Sequence, residues 1–261
     1  MGGLSHSSPA LTGVGGDCDS LPHRLDPRAK LVGLFLITIV AVSAPPQRWP
    51  VYAACVAVLA AFAAAARVAP VEVWRRARVV LPLVLLAAVF VPFLRTGGES
   101  YELGPLTVHE AGLLTFAAVG AKASIGTVSA VLLGITTSFP AVLRGLEALR
   151  VPRLFVLVAA FMYRYLFVIV EEVTRMRSAL AARGYRPRHM LQAKALGRVA
   201  SALFLRTYAR GERVYLAMLA RGYRGRMPEL APLAFGRVDA AFVAVVALAL
   251  VPLRVAAEVA L

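Results

Sequence analysis

The chain of 261 residues is 59% hydrophobic and only 16% charged, with a mean hydropathy of +0.73. Soluble domains contain about 45–50% apolar and about 25% charged residues, so this composition excludes an ordinary soluble domain and indicates an integral membrane protein. The formal charge of +15 comes from 29 Lys and Arg against 14 Asp and Glu. In a membrane protein, such an excess is typical of cytoplasmic loops that face an anionic leaflet.

Apolar runs in chain order predict the membrane spans, because a spanning helix needs about 20 mostly apolar residues. The first run follows a basic cluster that includes Arg24, Arg28 and Lys30, and the positive-inside rule therefore places the N-terminus in the cytoplasm. We predict an all-α, polytopic membrane protein with about five transmembrane helices, at residues 31–44, 51–69, 79–94, 111–138 and 238–255.

A sixth apolar run, residues 154–170, decides between five and six spans. The segment 144–226 carries 17 of the 29 Lys and Arg residues against 4 acidic residues. If the run crossed the membrane, most of those arginines would lie outside, and Arg164 would lie buried at its centre. We therefore predict that this helix lies against, or dips into, the inner face of the protein.

The resulting organisation has three parts. Residues 1–143 form the N-terminal tail and transmembrane helices 1–4, residues 144–236 form a cytoplasmic region of long coupling helices, and residues 237–261 form the last transmembrane helix. The expected localisation is the plasma (inner) membrane, multi-pass, with a cytoplasmic N-terminus.

The pentapeptide Ala-Arg-Gly-Tyr-Arg occurs twice in the basic region, with its first arginines, Arg183 and Arg221, 38 residues apart. Each copy follows a helical pattern, so Gly184 and Gly222 are expected to cap the two helices. A cap in which arginine offsets the helix dipole would explain a single copy. Two copies favour a second interpretation, in which each arginine inserts into a groove of another protein and meets a carboxylate. Two equivalent grooves then require a dimeric or pseudo-dimeric partner.

Paired Ala-Arg-Gly motifs at the ends of cytoplasmic helices resemble those of the transmembrane T component of energy-coupling factor (ECF) transporters, and most resemble its cobalt-type CbiQ members. Two further stretches, Leu-Asp-Pro-Arg-Ala-Lys-Leu at 25–31 and Phe-Met-Tyr-Arg-Tyr-Leu at 161–166, are also similar to that family. The likeness extends from about residue 21 to the end of the chain.

The resemblance implies a transmembrane scaffold that transmits ATPase motion to a separate membrane subunit, which captures the substrate. It implies that the chain is not an enzyme and binds no cofactor itself, and that two cytoplasmic ATPase subunits bind ATP and Mg. It also implies that each motif docks one ATPase through its arginine, and the residues concerned are Ala182, Arg183, Gly184, Ala220, Arg221 and Gly222.

Other interpretations stay open on the sequence. The T component could serve nickel, biotin or another vitamin instead of cobalt. A self-sufficient channel or secondary transporter would need charged groups within several spans, and only Lys122 is clearly placed so. Lys122 is a candidate functional residue inside the membrane, or it faces a partner or snorkels to a headgroup. A membrane-anchored nucleic-acid binder is a third class. The sequence contains neither a phosphate-binding loop nor a His-Glu-x-x-His zinc motif, and we expect no metal site.

Overall fold

The computed structural model describes residues 21–88, 100–103, 106–185, 193–225 and 234–259. The described elements are two strands and nine helices, in the order α1 (Leu21–Arg24), α2 (Pro27–Ser43), α3 (Trp49–Ala65), α4 (Pro70–Ala88), β1 (Ser100–Leu103), β2 (Leu106–His109), α5 (Glu110–Thr136), α6 (Phe139–Ala148), α7 (Arg153–Ala182), α8 (Ala193–Ala220) and α9 (Arg237–Val259). The strands β1 and β2 pair antiparallel, with Ser100 opposite His109.

The predicted all-α, polytopic fold class is confirmed, with this hairpin as a small addition. Three described helices are long and apolar enough to cross a membrane: Gly112–Thr136, Arg153–Ala182 and Arg237–Ala256. The helix Trp49–Ala65 is apolar but shorter. The count of five spans stays a prediction. So does the prediction that residues 154–170 do not cross, because α7 has the length and composition of a span.

The helix boundaries agree with most of the predicted runs and differ at two places. The run 111–138 ends as a helix at Thr136, and α6 then begins at Phe139 after the extended residue Ser138. Pro140 explains the new start, because a proline fits the first turn of a helix but not its interior. Helix α4 begins at Pro70, before the predicted run 79–94, and residues 89–94 of that run lie outside the described residues.

The chain folds into two compact units, and the first comprises the described parts of 1–151 and 233–261. Helix α2 lies at its centre and packs against α3, α5, α6 and α9. Side chains spaced three and four residues apart along α2, such as Leu34, Ile37 and Ala41, are almost fully buried. They join Cys55 on α3 and others in one apolar core. The helical period of the apolar residues therefore places one face of α2 in the core.

Gly33 allows α9 to approach α2 closely. A Cβ at this position would lie 2.5 Å from the ring of Phe242, which is closer than any side chain tolerates. The Phe242 ring also packs against that of Phe62 on α3, with centroids 5.5 Å apart. Glycine is needed here because the Phe242 ring occupies the space that a side chain would fill. The ring thereby joins three helices at one point of the core.

The second unit spans 152–232 and is built from α7 and α8. Among the residues that the structure describes there, Val156 is the only buried one. Glu172 on α7 pairs with Arg206 on α8 and also with Arg175 of its own helix. This unit consequently has little core of its own and leaves large apolar side chains exposed, among them Phe155, Met162, Phe204 and Leu205.

Candidate functional site

The first Ala-Arg-Gly motif forms the C-terminal cap of α7. The amide of Gly184 donates to the carbonyl of Ala181 at 3.0 Å, and the amide of Tyr185 donates to that of Leu180 at 3.1 Å. Gly184 has φ +75, in the left-handed region that favours glycine. These two bonds and the glycine define a Schellman motif, which ends the helix and turns the chain away. Arg183 is the capping residue itself, at the tip of the helix.

The second motif repeats this geometry at the end of α8. The amide of Gly222 donates to Leu219 at 2.9 Å, and the amide of Tyr223 donates to Met218 at 3.0 Å. Gly222 has φ +81. Arg221 therefore occupies the same position in its cap as Arg183 does in the first. The two helix ends match in backbone conformation as well as in sequence.

Both motif arginines are exposed. Neither guanidinium makes an ion pair or hydrogen bond to any of the residues that the structure describes. An exposed, planar cation at a helix tip can form a bidentate contact with a carboxylate of another protein. Ala182 and Ala220, one residue before, are also exposed and add no bulk at the tip.

The tyrosines of the two motifs have a local structural role. In a Schellman cap, the residue after the glycine commonly packs on a residue of the last helical turn. Tyr185 and Tyr223 hold that position, and both are half-buried, as are Leu180 and Met218 to which their amides donate. The matched caps therefore account for the Gly-Tyr part of the repeated pentapeptide. They do not require the exposed arginines, which remain available to a partner.

Lys122 on α5 is held by the backbone of α2. Its Nζ donates to the carbonyl oxygen of Val42 at 2.8 Å. Val42 lies in the last turn of α2, where carbonyl groups have no partner within the helix. The lysine thus provides a hydrogen-bond donor for a free carbonyl group at the end of α2, which favours a structural role for Lys122. A transport role for Lys122 stays a prediction.

A buried polar cluster at the start of α2 was not predicted from the sequence. Lys30 is 2% exposed, and its Nζ donates to the carbonyl oxygen of Thr136 at the end of α5 at 3.0 Å. The amide of Asp26 donates to Oδ1 of Asp239 on α9 at 2.7 Å, and the amide of Gly236 donates to Oδ2 at 2.8 Å. Asp26 and Asp239 are both buried and lie close enough to attract the Lys30 ammonium.

This cluster, which we call the Lys30 cluster (Asp26, Lys30, Thr136 and Asp239), joins the ends of three helices. Its sequence signal was weak, because Asp239 follows Lys30 by 209 positions and nothing local relates them. The stretch 25–31 was predicted to matter for its family resemblance and, through Arg28 and Lys30, for the orientation of the N-terminus. Elsewhere, the described residues contain no group of three or more His, Cys, Asp or Glu side chains that could hold a metal ion.

Comparison with known proteins places the chain in a family. A family model described as cobalt transport protein CbiQ matches residues 19–230. The chain is 30% identical to the cobalt transport protein CbiQ of Rhodobacter capsulatus, over 80% of this chain and 84% of that protein. It is also 30% identical to the energy-coupling factor transporter transmembrane protein EcfT of Brevibacillus brevis, over 79% of this chain and 82% of that protein.

Longer proteins contain a similar region. A putative ABC transporter ATP-binding protein of Bifidobacterium longum, BL0043, is 28% identical over 83% of this chain, and the match covers 29% of its length. The chain spans 35% and 22% of two other curated relatives that it matches. The family-model match over residues 19–230 agrees with the two relatives that are matched over 84% and 82% of their own length. The chain belongs to the EcfT/CbiQ family of transmembrane components of energy-coupling factor transporters.

Proposed function

We propose that this chain is the coupling scaffold of an ECF-type importer for cobalt ions, working with two cytoplasmic ATPase subunits and a separate membrane subunit that captures the ion. The observation that carries the proposal is the pair of matched helix ends, each with an exposed arginine at its tip. Two equivalent tips fit two equivalent ATPase grooves. ATP and Mg bind in those ATPases, and this chain performs no catalysis.

The two helices are suited to transmit motion. Helix α7 has 30 residues and α8 has 28, so each is about 40–45 Å long at 1.5 Å per residue. A displacement applied at Arg183 or Arg221 would move a rigid element whose far end is remote from the ATPase. The Glu172–Arg206 ion pair links α7 to α8 and helps them to move together.

The partners and the substrate rest on the relatives. The name of the Bifidobacterium longum relative supports ATPase partners, since a similar region occurs within an ATP-binding protein. Cobalt is supported by the family description and by the Rhodobacter capsulatus relative. The EcfT relative carries no cobalt in its name, so nickel or a vitamin is the second candidate. Uptake of labelled cobalt and nickel by the assembled transporter would separate the two ions.

The docking role predicts a graded loss of function. Truncating one partner of a buried charged contact costs about 2–5 kcal/mol, and the second contact still tethers the complex at high effective concentration. Arg183→Ala or Arg221→Ala should therefore impair uptake with partial ATPase retention, and the double variant should lose ATPase co-purification or coupling. Lysine should rescue poorly, because it lacks the planar fork of arginine.

The control is Arg177→Ala, which removes an exposed arginine from α7 away from its tip. It should leave uptake and ATPase co-purification near the unsubstituted level. Near-normal uptake in the double alanine variant, or full rescue by lysine, would reject docking and leave only a capping role for the two arginines.

The proposed orientation places the N-terminus and the second unit on the cytoplasmic side of the inner membrane. The support is the excess of arginine in 144–226. Single cysteines introduced at Arg188 and Gly98, in a chain without Cys18 and Cys55, test it. A membrane-impermeant thiol reagent should label intact cells at position 98 and not at position 188. The reverse pattern would contradict the orientation.

A further inference from the structure

An open, apolar groove of about 580 Å³ lies within the first unit, between α3, α4 and α5. Its wall on α3 runs from Val56 to Ala64, about 12 Å along the helix axis. Helix α5 contributes Ala121, Ile125 and their neighbours. Small side chains such as Ala60 and Ala64 leave room for an occupant the width of an extended hydrocarbon chain. In a membrane, an occupant of such a groove must itself be apolar.

One end of the groove reaches the connection between α3 and α4. Val68, Val73, Trp74 and Ala77 line it there. Trp74 is 63% exposed, and tryptophan prefers the level of the lipid headgroups, where its ring is half apolar and half wet. This end therefore has the character of a membrane–water interface.

The same end is basic. Residues 67–78 include four arginines and one acidic residue. Glu72 pairs with Arg75 and Arg76, and its hydrogen bond to Arg75 holds the pKa of Glu72 below its usual value. Arg67 and Arg78 are exposed and pair with no described residue. Two cations at this end thus lack a counter-charge within the described chain.

Sequence spacing places each of the two arginines next to a residue that lines the groove. Arg67 directly precedes the lining residue Val68. Arg78 follows Trp74 by four positions on α4, so the two side chains are neighbours on one helix face. A basic site that adjoins a crevice between membrane helices is typical of anionic lipid recognition.

We propose that this groove binds an anionic phospholipid, with an acyl chain between α3, α4 and α5 and the headgroup phosphate on Arg67 and Arg78. Charge complementarity selects this occupant over a zwitterionic lipid, and the interfacial tryptophan places the headgroup at this end of the groove. The site is separate from the two arginine tips and does not depend on the proposed cobalt transport. It would anchor the α3–α4 turn to the anionic leaflet.

Trp74 provides the measurement, since the chain has only two tryptophans. Trp49→Phe leaves Trp74 as the single indole and keeps an aromatic ring beside Tyr52. The full chain is reconstituted in phosphatidylcholine bilayers that contain increasing amounts of phosphatidylglycerol brominated on its acyl chains. Quenching of Trp74 is compared with that by brominated phosphatidylcholine. Two arginines at the headgroup, each worth about 1 kcal/mol, predict half-quenching at a roughly 30-fold lower mole fraction of phosphatidylglycerol.

Two pairs of variants make the test specific. Arg67→Gln with Arg78→Gln should abolish the preference, whereas Arg144→Gln with Arg150→Gln changes the net charge equally at exposed positions off the groove and should keep it. Ala64→Phe narrows the groove and should reduce quenching by both lipids. Ala65→Phe places the same ring at the neighbouring exposed position, which does not line the groove, and should leave the quenching unchanged.

Several results would overturn the proposal. Equal quenching by the two lipids would show that the groove does not select the headgroup. An equal loss of the preference in both pairs of arginine variants would show that it comes from the overall charge of the protein. Unchanged quenching in Ala64→Phe would place the acyl chain elsewhere. Insensitivity of Trp74 to either lipid would mean that protein covers the groove, either another part of this chain or a second copy of it.

Discussion

Lys30 in the first unit and the two motif arginines in the second unit occupy opposite settings. In the first unit, Lys30 is 2% exposed, donates to a backbone carbonyl of another helix and lies near two buried carboxylates. In the second unit, Arg183 and Arg221 lie exposed at helix tips. A buried cation is bound by its own fold, whereas an exposed one at a rigid tip is available to another molecule. Lys30 thus contributes to the internal stability of the first unit, whereas Arg183 and Arg221 are presented to a partner.

The apolar residues follow the same division. The buried core, centred on α2, belongs to the first unit. Helices α7 and α8 bury only Val156 among their described side chains, and they expose Phe155, Met162 and Phe204. Large exposed apolar surfaces mark contacts with protein or lipid. The second unit is accordingly the part of the chain whose stability should depend most on its surroundings.

The largest effect on stability is expected at the Lys30 cluster. Lys30→Met leaves the Thr136 carbonyl and two buried carboxylates without their cation, and removing one member of a buried ionic group costs about 3–5 kcal/mol. Lys122→Met is the matched control, because its half-exposed ammonium makes one hydrogen bond, worth about 0.5–1.5 kcal/mol. The measurement is reversible unfolding of the detergent-purified chain. Equal destabilisation by the two changes would remove the contrast between a buried, clustered cation and a half-exposed one.

An intermediate effect is expected at the helix caps. Gly184→Ala or Gly222→Ala forces a side chain into the left-handed region, at a cost of roughly 1–2 kcal/mol. A Cβ there would meet no atom within 4 Å, so the cost lies in the backbone alone. Amide hydrogen exchange at Tyr185 and Tyr223 reports the opening of each cap, and it should become faster.

Gly211→Ala provides a control of opposite sign for the caps. Gly211 lies in the interior of α8, and a Cβ there also meets nothing within 4 Å. Alanine should stabilise that helix by about 0.5–1 kcal/mol and slow exchange within it. Slower exchange in the Gly222→Ala variant would contradict the strained cap.

The smallest effect is expected at the Glu172–Arg206 pair. Arg206 is exposed and Glu172 is half-buried, so solvent still screens this ion pair. A double-mutant cycle with Glu172→Gln and Arg206→Gln should give a coupling below the cost of either cap variant, and high salt should weaken it further. A coupling as large as that of the Lys30 cluster would mean that the second unit is held together by internal charges after all.

The sequence determined the features that depend on local pattern. Apolar runs predicted the helices of the membrane class, because a helix in hydrocarbon must be apolar over its length. The glycines of the two Ala-Arg-Gly-Tyr-Arg pentapeptides predicted where α7 and α8 end, because a glycine in the left-handed conformation caps a helix through local contacts. The resemblance of these motifs to those of the T component agrees with the family that the comparisons show.

Only the tertiary structure decided which residues meet across the chain. The bond from Lys30 to Thr136 joins positions 106 apart, and that from Asp26 to Asp239 joins positions 213 apart. The groove likewise depends on how the three successive helices α3, α4 and α5 pack against one another. Periodicity tells which face of a helix is apolar, but the partner of that face follows from how all the helices pack together. A lysine near a span therefore looks the same in sequence whether it is buried in an ionic cluster, like Lys30, or half-exposed, like Lys122.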